Sequence, residues 1–267
     1  MPYLSIVINV DTRPERNSSE KMFNGVVDRD FLTDGVFNKI KFFDGFDKEV
    51  ILYCDEHEPI DEKTLDYMRS MADTLIIRKH NKSFEDNPDY AGFNDMNYIQ
   101  ALAQARGKYV FHFDGDIAAF TSSMQPIHEL IDLLETYDYV SYPSHWSPLP
   151  VIDNSFDHTW VSTRFFCCKR STLDIGEILK CQLDYDYLFE TYPAARKCHW
   201  IEHILGLIAK YKGNGVYYPK MEIDKWALCT WGSYEKYTLR RLNEMPYEGI
   251  IDFVKNHPIV YPNDIFL

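Results

Sequence analysis

Two acidic residues stand one position apart directly after an apolar segment, and together they could bind a metal ion. Residues 108–113 read Lys-Tyr-Val-Phe-His-Phe, and Asp114-Gly115-Asp116 follows at once. Carboxylates with this spacing at a strand end can both reach one hard cation, which takes oxygen ligands and also binds phosphate oxygens. The glycine between them lets the backbone come close to a ligand. We therefore predict that Asp114 and Asp116 bind Mn²⁺ or Mg²⁺ beside a phosphorylated ligand.

Segments typical of strands and of helices alternate along the first half of the chain. Alternation of this kind predicts an α/β fold with a mostly parallel central sheet flanked by helices. Ligands of such sheets bind beyond the carboxyl ends of the strands, which places Asp11, Asp55 and Asp114 along one edge. The sequence predicts strands over 4–10, 49–54, 74–78 and 108–113 and helices over 61–72 and 94–105.

The second half of the chain continues this pattern less regularly. It predicts helices over 126–136 and 202–211 and strands over 138–142 and 161–168. Residues 17–35 and 143–160 have the polar or Pro-rich character of loops. The second of these loops contains Trp146 and Trp160, whose flat rings suit stacking on sugars, so we expect it to bind an acceptor.

The order of these motifs resembles that of the GT-A glycosyltransferases, in particular the family 2-like members. A helix bearing Asn97, then Gly107, an apolar strand and Asp-x-Asp follow one another as in that family. Ser5-Ile-Val-Ile-Asn-Val resembles its first strand, with Asp11-Thr-Arg-Pro in place of the usual Pro-Thr-Tyr-Asn ending. The segments 161–176 and 199–213 resemble later motifs of the family, so the resemblance spans about residues 4 to 219.

The resemblance implies one GT-A domain, the fold of nucleotide-diphospho-sugar transferases, over residues 1–219. Its nucleotide-binding half would occupy about 1–118 and its acceptor half about 119–219, with 220–267 as a C-terminal extension packed on the same domain. The implied reaction moves a sugar from a nucleotide-diphosphate donor, with UDP favoured, to a carbohydrate, a lipid-linked glycan or another hydroxyl acceptor. It depends on the metal and inverts the anomeric configuration, with retention as the alternative because position 203 is not the family's aspartate.

The resemblance also implies which side chains bind the nucleotide-sugar. Besides Asp114, Gly115 and Asp116, these are Asp11, Arg13 and Asp55 at the base and ribose, and Asn97 nearby. Carboxylates accept hydrogen bonds from base N–H groups and ribose hydroxyls, and arginine pairs with phosphate or stacks on a base. The alternative role of the aspartates and of Asn97 is the capping of turns and helices.

The helix predicted over 202–211 begins where the family carries a Glu-Asp pair whose aspartate is the catalytic base. This chain has Glu202-His203 there, so either side chain is a candidate for the base. A carboxylate or a neutral imidazole can deprotonate the acceptor hydroxyl, which then attacks the anomeric carbon opposite the leaving diphosphate. His257 is the candidate for a third metal ligand, because many GT-A enzymes add a C-terminal histidine.

Composition and charge narrow the range of partners. The net charge of −13 over 267 residues opposes binding to nucleic acid and to anionic membranes. No apolar run reaches the roughly 18 residues that a membrane-spanning helix needs, and the N-terminus reads as a strand rather than a signal peptide. Six cysteines without a Cys-x-x-Cys pair favour reduced thiols and a cytoplasmic location.

Three other functions fit parts of this pattern. A GT-A-like protein that binds a sugar or nucleotide without catalysis would account for the missing aspartate at position 203. A haloacid dehalogenase-type phosphatase also carries Asp-x-Asp after an apolar strand, but Ile117-Ala118-Ala119 stands where its threonine is expected. A sugar-phosphate nucleotidyltransferase has a related sheet, but the glycine-rich loop that it needs after the first strand is missing here.

Overall fold

A seven-stranded sheet forms the centre of the computed structural model, which describes residues 1–10, 29–56, 59–79, 96–115, 117–141, 160–195, 201–218, 226–230 and 244–256. The strands are β1 (Leu4–Asn9), β2 (Lys48–Glu56), β3 (Thr74–Lys79), β4 (Tyr109–Phe113), β5 (Ile117–Thr121), β6 (Tyr139–Ser141), β7 (Phe165–Lys169), β8 (Val216–Tyr217) and β9 (Trp226–Thr230). The helices are α1 (Arg29–Phe42), α2 (Glu62–Met71), α3 (Met96–Gln104), α4 (Gln125–Leu133), α5 (Ile175–Leu183), α6 (Tyr185–Thr191), α7 (Ile201–Lys212) and α8 (Tyr247–Asn256).

The strands of the central sheet follow the order β3-β2-β1-β4-β7-β6-β8. Parallel pairing joins β3, β2, β1 and β4, and also joins β6 to β8. β7 lies antiparallel between β4 and β6. The carboxyl ends of β2, β1 and β4 therefore meet at one edge, and the predicted α/β class with a mostly parallel sheet is confirmed.

Both faces of the sheet are buried under helices, as near-continuous apolar strands require. Successive residues of β1 point to opposite faces, so Ile6 and Ile8 belong to one core cluster and Val7 to the other. The first cluster includes side chains of α1, α2 and α4, and the second those of α3, α5 and α7. None of the helices in the described part of the chain is both long and apolar enough to span a membrane.

Most elements lie where the sequence predicts them. The structure confirms strands at β1, β2, β3, β4 and β6 and helices at α2, α3, α4 and α7. The strand predicted over 161–168 begins only at Phe165, because the residues before it bond to neighbouring elements instead of to a sheet partner. The sequence analysis did not predict β5, which follows the Asp114 motif directly.

The prediction of a loop over residues 17–35 is wrong from Arg29 onward, where α1 begins. Residues 17–28 lie outside the described residues. The buried face of α1 carries polar residues, so apolar periodicity does not reveal this helix. Asn38 is 2% exposed, and its Oδ1 accepts a hydrogen bond from the Ala119 N–H at 2.6 Å. Tertiary bonds to the segment after β4 thus stabilise a helix that the local sequence pattern does not predict.

Two elements of the predicted C-terminal extension contact the region that follows the Asp114 motif. β9 pairs antiparallel with β5 in a second, two-stranded sheet. Residues at α8, including Tyr247 and Ile250, line a cavity together with Phe42 of α1 and Phe120 of β5. The division of the chain into a 1–219 domain and a 220–267 extension remains a prediction.

A buried glutamate fixes the amino ends of the central strands. Glu49 is 2% exposed and accepts hydrogen bonds from the Ser5 hydroxyl and from the backbone N–H groups of Arg106 and Gly107. The backbone at Gly107 approaches β1 so closely that a Cβ there would lie 2.5 Å from the carbonyl carbon of Leu4. Only glycine fits this approach, which sets how β4 enters the sheet.

Candidate functional site

Asp114 lies at the carboxyl end of β4, on the edge predicted for ligand binding. Its backbone N–H donates to the Arg164 carbonyl at 3.1 Å, and its carbonyl accepts from the Ile117 N–H at 3.2 Å. The chain therefore turns at Gly115 before it continues as β5. The Asp114 side chain is half-buried. Asp116, the second predicted metal ligand, lies outside the described residues.

Lys39 of α1 bonds to the middle of this turn. Its side chain is fully buried, and its Nζ donates to the carbonyl oxygens of Gly115 at 3.1 Å and of Gly35 at 3.3 Å. A buried ammonium is costly unless polar groups replace its water, and the two carbonyls do so here. The contact places a positive charge next to the Asp-Gly-Asp motif.

Thr163 connects Asp114 to Glu202. Its backbone N–H and its hydroxyl both lie within hydrogen-bonding distance of Oε1 of Glu202, at 2.7 and 2.9 Å. The same hydroxyl oxygen lies 3.4 Å from Oδ2 of Asp114. A hydroxyl has one proton to donate, and the shorter contact to Glu202 receives it. The structure thus brings a predicted metal ligand and a predicted base together around one side chain.

Burial raises the pKa of the Glu202 carboxyl above its ordinary value, because removal from water disfavours the charged form. The two hydrogen bonds from Thr163 and the charge of Arg164 lower this pKa in part. Glu202 is also in the first turn of α7, where the helix dipole favours a negative charge. A half-buried carboxylate with a raised pKa is suited to accept a proton.

His203 lies in a different environment from Glu202. It is 2% exposed, and its ring centroid is 6.0 Å from that of Trp160. Adjacent helical residues project about 100° apart, so the two side chains leave α7 in different directions. Trp160 itself is 4% exposed and packs inside the protein, although the sequence analysis expected it in the acceptor-binding loop.

Asn97 of α3 supports Asp55 at the end of β2. Its Nδ2 donates to the Cys54 carbonyl at 3.1 Å and also to Oδ1 of Asp55. Because both partners are acceptors, they fix the orientation of the amide. Asn97 is 1% exposed whereas Asp55 is half-buried, so Asp55 is the better placed of the two to reach a ligand.

A neutral histidine lies two residues before Asp114. His112 is fully buried, and its Nε2 is 2.8 Å from the Tyr53 hydroxyl. Its ring stacks on Phe166 at 5.2 Å and meets the edge of Tyr98 at 4.7 Å. Burial lowers the pKa of His112 to about 3, so the imidazole adds no charge beneath the site at neutral pH.

The predicted residues Asp11, Arg13, Asp116 and His257 lie outside the described residues. Most of the loop expected to bind an acceptor, residues 142–159, lies outside them too. Among the residues that the structure does describe, no group of three or more His, Cys, Asp or Glu side chains is placed to hold a metal ion. The metal site on Asp114 and Asp116 therefore remains a prediction.

Sequence reasoning missed Lys39 and Thr163. Lys39 bonds to a residue 76 positions away, Thr163 bonds to one 39 positions away, and neither residue belongs to a local motif. The available signal for Thr163 is the polar run Ser162-Thr163-Arg164 directly before an apolar strand. Lys39 has no comparable signal, since a lysine near the end of a helix is ordinarily exposed.

Comparison with known proteins finds similarity of structure. No protein-family model matches the chain, and no curated protein matches it. A protein assigned as a nucleotide-diphospho-sugar transferase from Desulfovibrio desulfuricans G20 has 9% identity and a TM-score of 0.46, over 82% of this chain and 80% of that one. The mannosyltransferase PcManGT from Pyrobaculum calidifontis, solved with GDP-Man and Mn²⁺, has 14% identity and a TM-score of 0.43, over 82% and 55%.

A third solved structure represents another class of enzyme. A protein assigned as a glucose-1-phosphate thymidylyltransferase from Bacillus anthracis, solved with sucrose, has 10% identity and a TM-score of 0.47. The match covers 92% of this chain and 96% of that one. The nucleotide-diphospho-sugar transferases that the sequence resembles are thus among the proteins of similar structure. At these sequence identities the similarity concerns the fold alone.

Proposed function

We propose that this protein is a metal-dependent glycosyltransferase that moves a sugar from a nucleotide-diphosphate donor to a hydroxyl acceptor. The observation that carries the proposal is the pairing of Asp114 with Glu202 around the Thr163 hydroxyl. Asp114 stands where parallel sheets bind ligands, and Glu202 has the raised pKa of a group suited to proton transfer. The order of motifs resembles that of GT-A enzymes, whose reaction needs both an acidic residue at the metal and a group that accepts a proton.

The nucleoside of the donor is assigned to the ends of the strands beside β4. Asp55 is held by Asn97 and can accept a hydrogen bond from a ribose hydroxyl or a base N–H. Asp11 and Arg13, which follow β1 in the sequence, are proposed to bind the same nucleoside because of the resemblance to GT-A enzymes. UDP is the favoured nucleotide because Asp-x-Asp metal sites often accompany it in this fold.

Asp114, together with Asp116, would hold Mn²⁺ or Mg²⁺. Asp114 offers the carboxylate oxygens that these cations prefer, and it is only half-buried. When bound, the cation would neutralise negative charge on the departing nucleoside diphosphate. Lys39 adds a fixed positive charge at Gly115 on the same turn, and this charge also stabilises negative charge on the departing diphosphate.

Glu202 is the proposed base, in preference to His203. It takes the proton of the acceptor hydroxyl, whose oxygen forms the new bond to the anomeric carbon. The bond from that carbon to the diphosphate oxygen breaks, and its electron pair leaves with the diphosphate. His203 is buried against Trp160, where an acceptor has no access. With Glu202 in this role, the missing aspartate at position 203 no longer argues for a protein without catalysis.

The test is a product assay on the full chain with UDP-sugars and GDP-sugars in Mn²⁺ or EDTA. We expect Glu202→Gln to lower kcat by about 100-fold or more, as loss of a general base does, with the donor Kd within about twofold. We expect Asp114→Asn to abolish Mn²⁺-dependent nucleotide binding. Glu62→Gln, which changes an exposed acid on α2, is the matched control and should keep full activity.

The products distinguish the alternatives. Nucleoside diphosphate as the product supports the transferase, whereas pyrophosphate released from a nucleoside triphosphate and a sugar phosphate would indicate a nucleotidyltransferase. Phosphate released from simple esters would indicate a phosphatase. Nucleotide binding without any product would indicate a binding protein, and an unchanged kcat in Glu202→Gln would remove Glu202 from the mechanism.

A further inference from the structure

Thr163 lies in a short segment whose backbone three different elements hold in place. We define residues 160–164 as the bridging segment, which leads into β7. Hydrogen bonds to α7, to β6 and to Asp114 at the end of β4 hold its backbone, so the fold itself fixes the position of Thr163. These bonds join the Val161 N–H to the Glu202 carbonyl at 2.9 Å, the Ser162 N–H to the Ser141 hydroxyl at 2.8 Å, and the Asp114 N–H to the Arg164 carbonyl at 3.1 Å.

Both donors of Thr163 act on the same oxygen of Glu202. The N–H and the hydroxyl engage Oε1 at 2.7 and 2.9 Å, and no residue in the described part of the chain donates to Oε2. Hydrogen bonds to one carboxylate oxygen occupy its lone pairs and make that oxygen a poorer proton acceptor. Oε2 is therefore the oxygen on which Glu202 can take up a proton.

The Thr163 hydroxyl also separates the two carboxylates. Its oxygen is 2.9 Å from Oε1 of Glu202 and 3.4 Å from Oδ2 of Asp114. A divalent cation held by Asp114 would attract a further carboxylate within reach, and a carboxylate bound to it would no longer be available as a base. The hydrogen bond from Thr163 opposes this movement because it holds Oε1.

We infer that Thr163 is a positioning residue that holds Glu202 through Oε1, presents Oε2 to the acceptor hydroxyl and keeps Glu202 away from the metal ligands. The inference rests on the proposed function. Thr163 acts through Glu202 and does not itself touch the reacting atoms. Because its position is set by the backbone bonds of the bridging segment, a change confined to the hydroxyl should leave the rest of the site in place.

Two substitutions of Thr163 separate the effect of its hydroxyl from the effect of its side-chain volume. Thr163→Val keeps the volume and the N–H but removes Oγ1, whereas Thr163→Ser keeps the hydroxyl. We expect Thr163→Val to lower kcat by about 10- to 100-fold, the range that follows loss of a hydrogen bond to a charged group, with the donor KM within about twofold. Thr163→Ser should keep kcat within about threefold. A purely structural role would instead change KM together with kcat.

A double-mutant cycle with Glu202→Gln tests whether Thr163 acts through Glu202. In the kinetic arm, Thr163→Val should have no further effect on kcat once Glu202 is glutamine. In the stability arm, which needs no activity, the unfolding equilibrium constant of the double variant should depart by about tenfold from the product of the single effects. Independent effects in the stability arm, or an equal loss of kcat in both backgrounds, would overturn the inference.

The two arms also separate this inference from the proposed function. If the wild type releases no nucleoside diphosphate from any donor although the stability arm shows coupling, the proposed function and the catalytic role of Thr163 are refuted, while the contact stands. If the wild type is an active transferase but the stability arm shows no coupling, the proposed function stands and the role of Thr163 is refuted.

Discussion

His112 gives this protein a stability that depends on pH in a predictable direction. Burial lowers the pKa of its imidazole to about 3, whereas a histidine in an unfolded chain has a pKa of about 6.5. Between these values the unfolded state binds one proton that the folded state does not. The contribution of His112 is therefore complete above about pH 6.5 and is lost as the pH falls toward 3.

The magnitude follows from the count of protons. One proton changes the free energy of unfolding by about 1.4 kcal/mol per pH unit, and the transition near pH 6.5 softens this slope. His112 should therefore lower the free energy of unfolding by about 2 kcal/mol between pH 7 and pH 5. His112→Leu loses the bond to Tyr53 at every pH but also loses the titrating group. The stability gap between the wild type and this variant should thus shrink by about 2 kcal/mol over the same range.

Urea unfolding at pH 7, 6 and 5, followed by tryptophan fluorescence, measures this gap. His128→Gln removes an exposed histidine of α4 and is the matched control, whose curves should stay parallel to those of the wild type. If the wild type and His112→Leu also lose stability in parallel between pH 7 and pH 5, His112 is not a buried neutral histidine, and the environment described beneath Asp114 is wrong.

Two further substitutions test the framework of the site. Lys39→Met should weaken Mn²⁺-dependent nucleotide binding by about tenfold or more in a calorimetric titration, because the turn loses its bond at Gly115, whereas Lys41→Met on the exposed side of α1 should bind normally. Equal affinities for the two variants would contradict a role for Lys39. Gly107→Ala should destabilise the protein by about 1–3 kcal/mol in urea, since its Cβ meets the β1 backbone at 2.5 Å, and Gly176→Ala, whose Cβ has an ordinary 3.4 Å contact, should not. An unchanged midpoint for Gly107→Ala would show that β1 and β4 can move apart at little cost.

The sequence was sufficient to predict those elements of the site that are identified by burial alone. β1, β2 and β4 are buried on both faces, so their apolar runs identify them, and the parallel alternation then places Asp55 and Asp114 at one edge. Glu202 could be found because the start of its helix resembles the position of the Glu-Asp pair in the GT-A family. The choice between Glu202 and His203 needed the structure, since the local pattern does not say which side chain meets Thr163.

The remaining parts depend on partners that are distant in the sequence. α1 packs polar side chains, Asn38 and Lys39, against the segment that follows β4, so its pattern resembles that of a loop. Thr163 obtains its role from backbone bonds to three elements that only the fold brings together. The roles of Lys39 and Thr163 have no local sequence signature. Each depends on a contact in space with a residue that is distant in the sequence.

The central claim is that Asp114 binds a divalent cation beside a nucleoside diphosphate while Glu202 stays free of the metal. Diffraction from crystals of the full chain grown with Mn²⁺ and UDP, recorded near the manganese absorption edge, measures this directly. We predict an anomalous peak within coordination distance of the Asp114 carboxylate, with the diphosphate bound to it and Glu202 separated from it by Thr163. A peak away from the carboxyl edge of the sheet, or nucleotide bound elsewhere while Asp114 faces solvent, would contradict the claim.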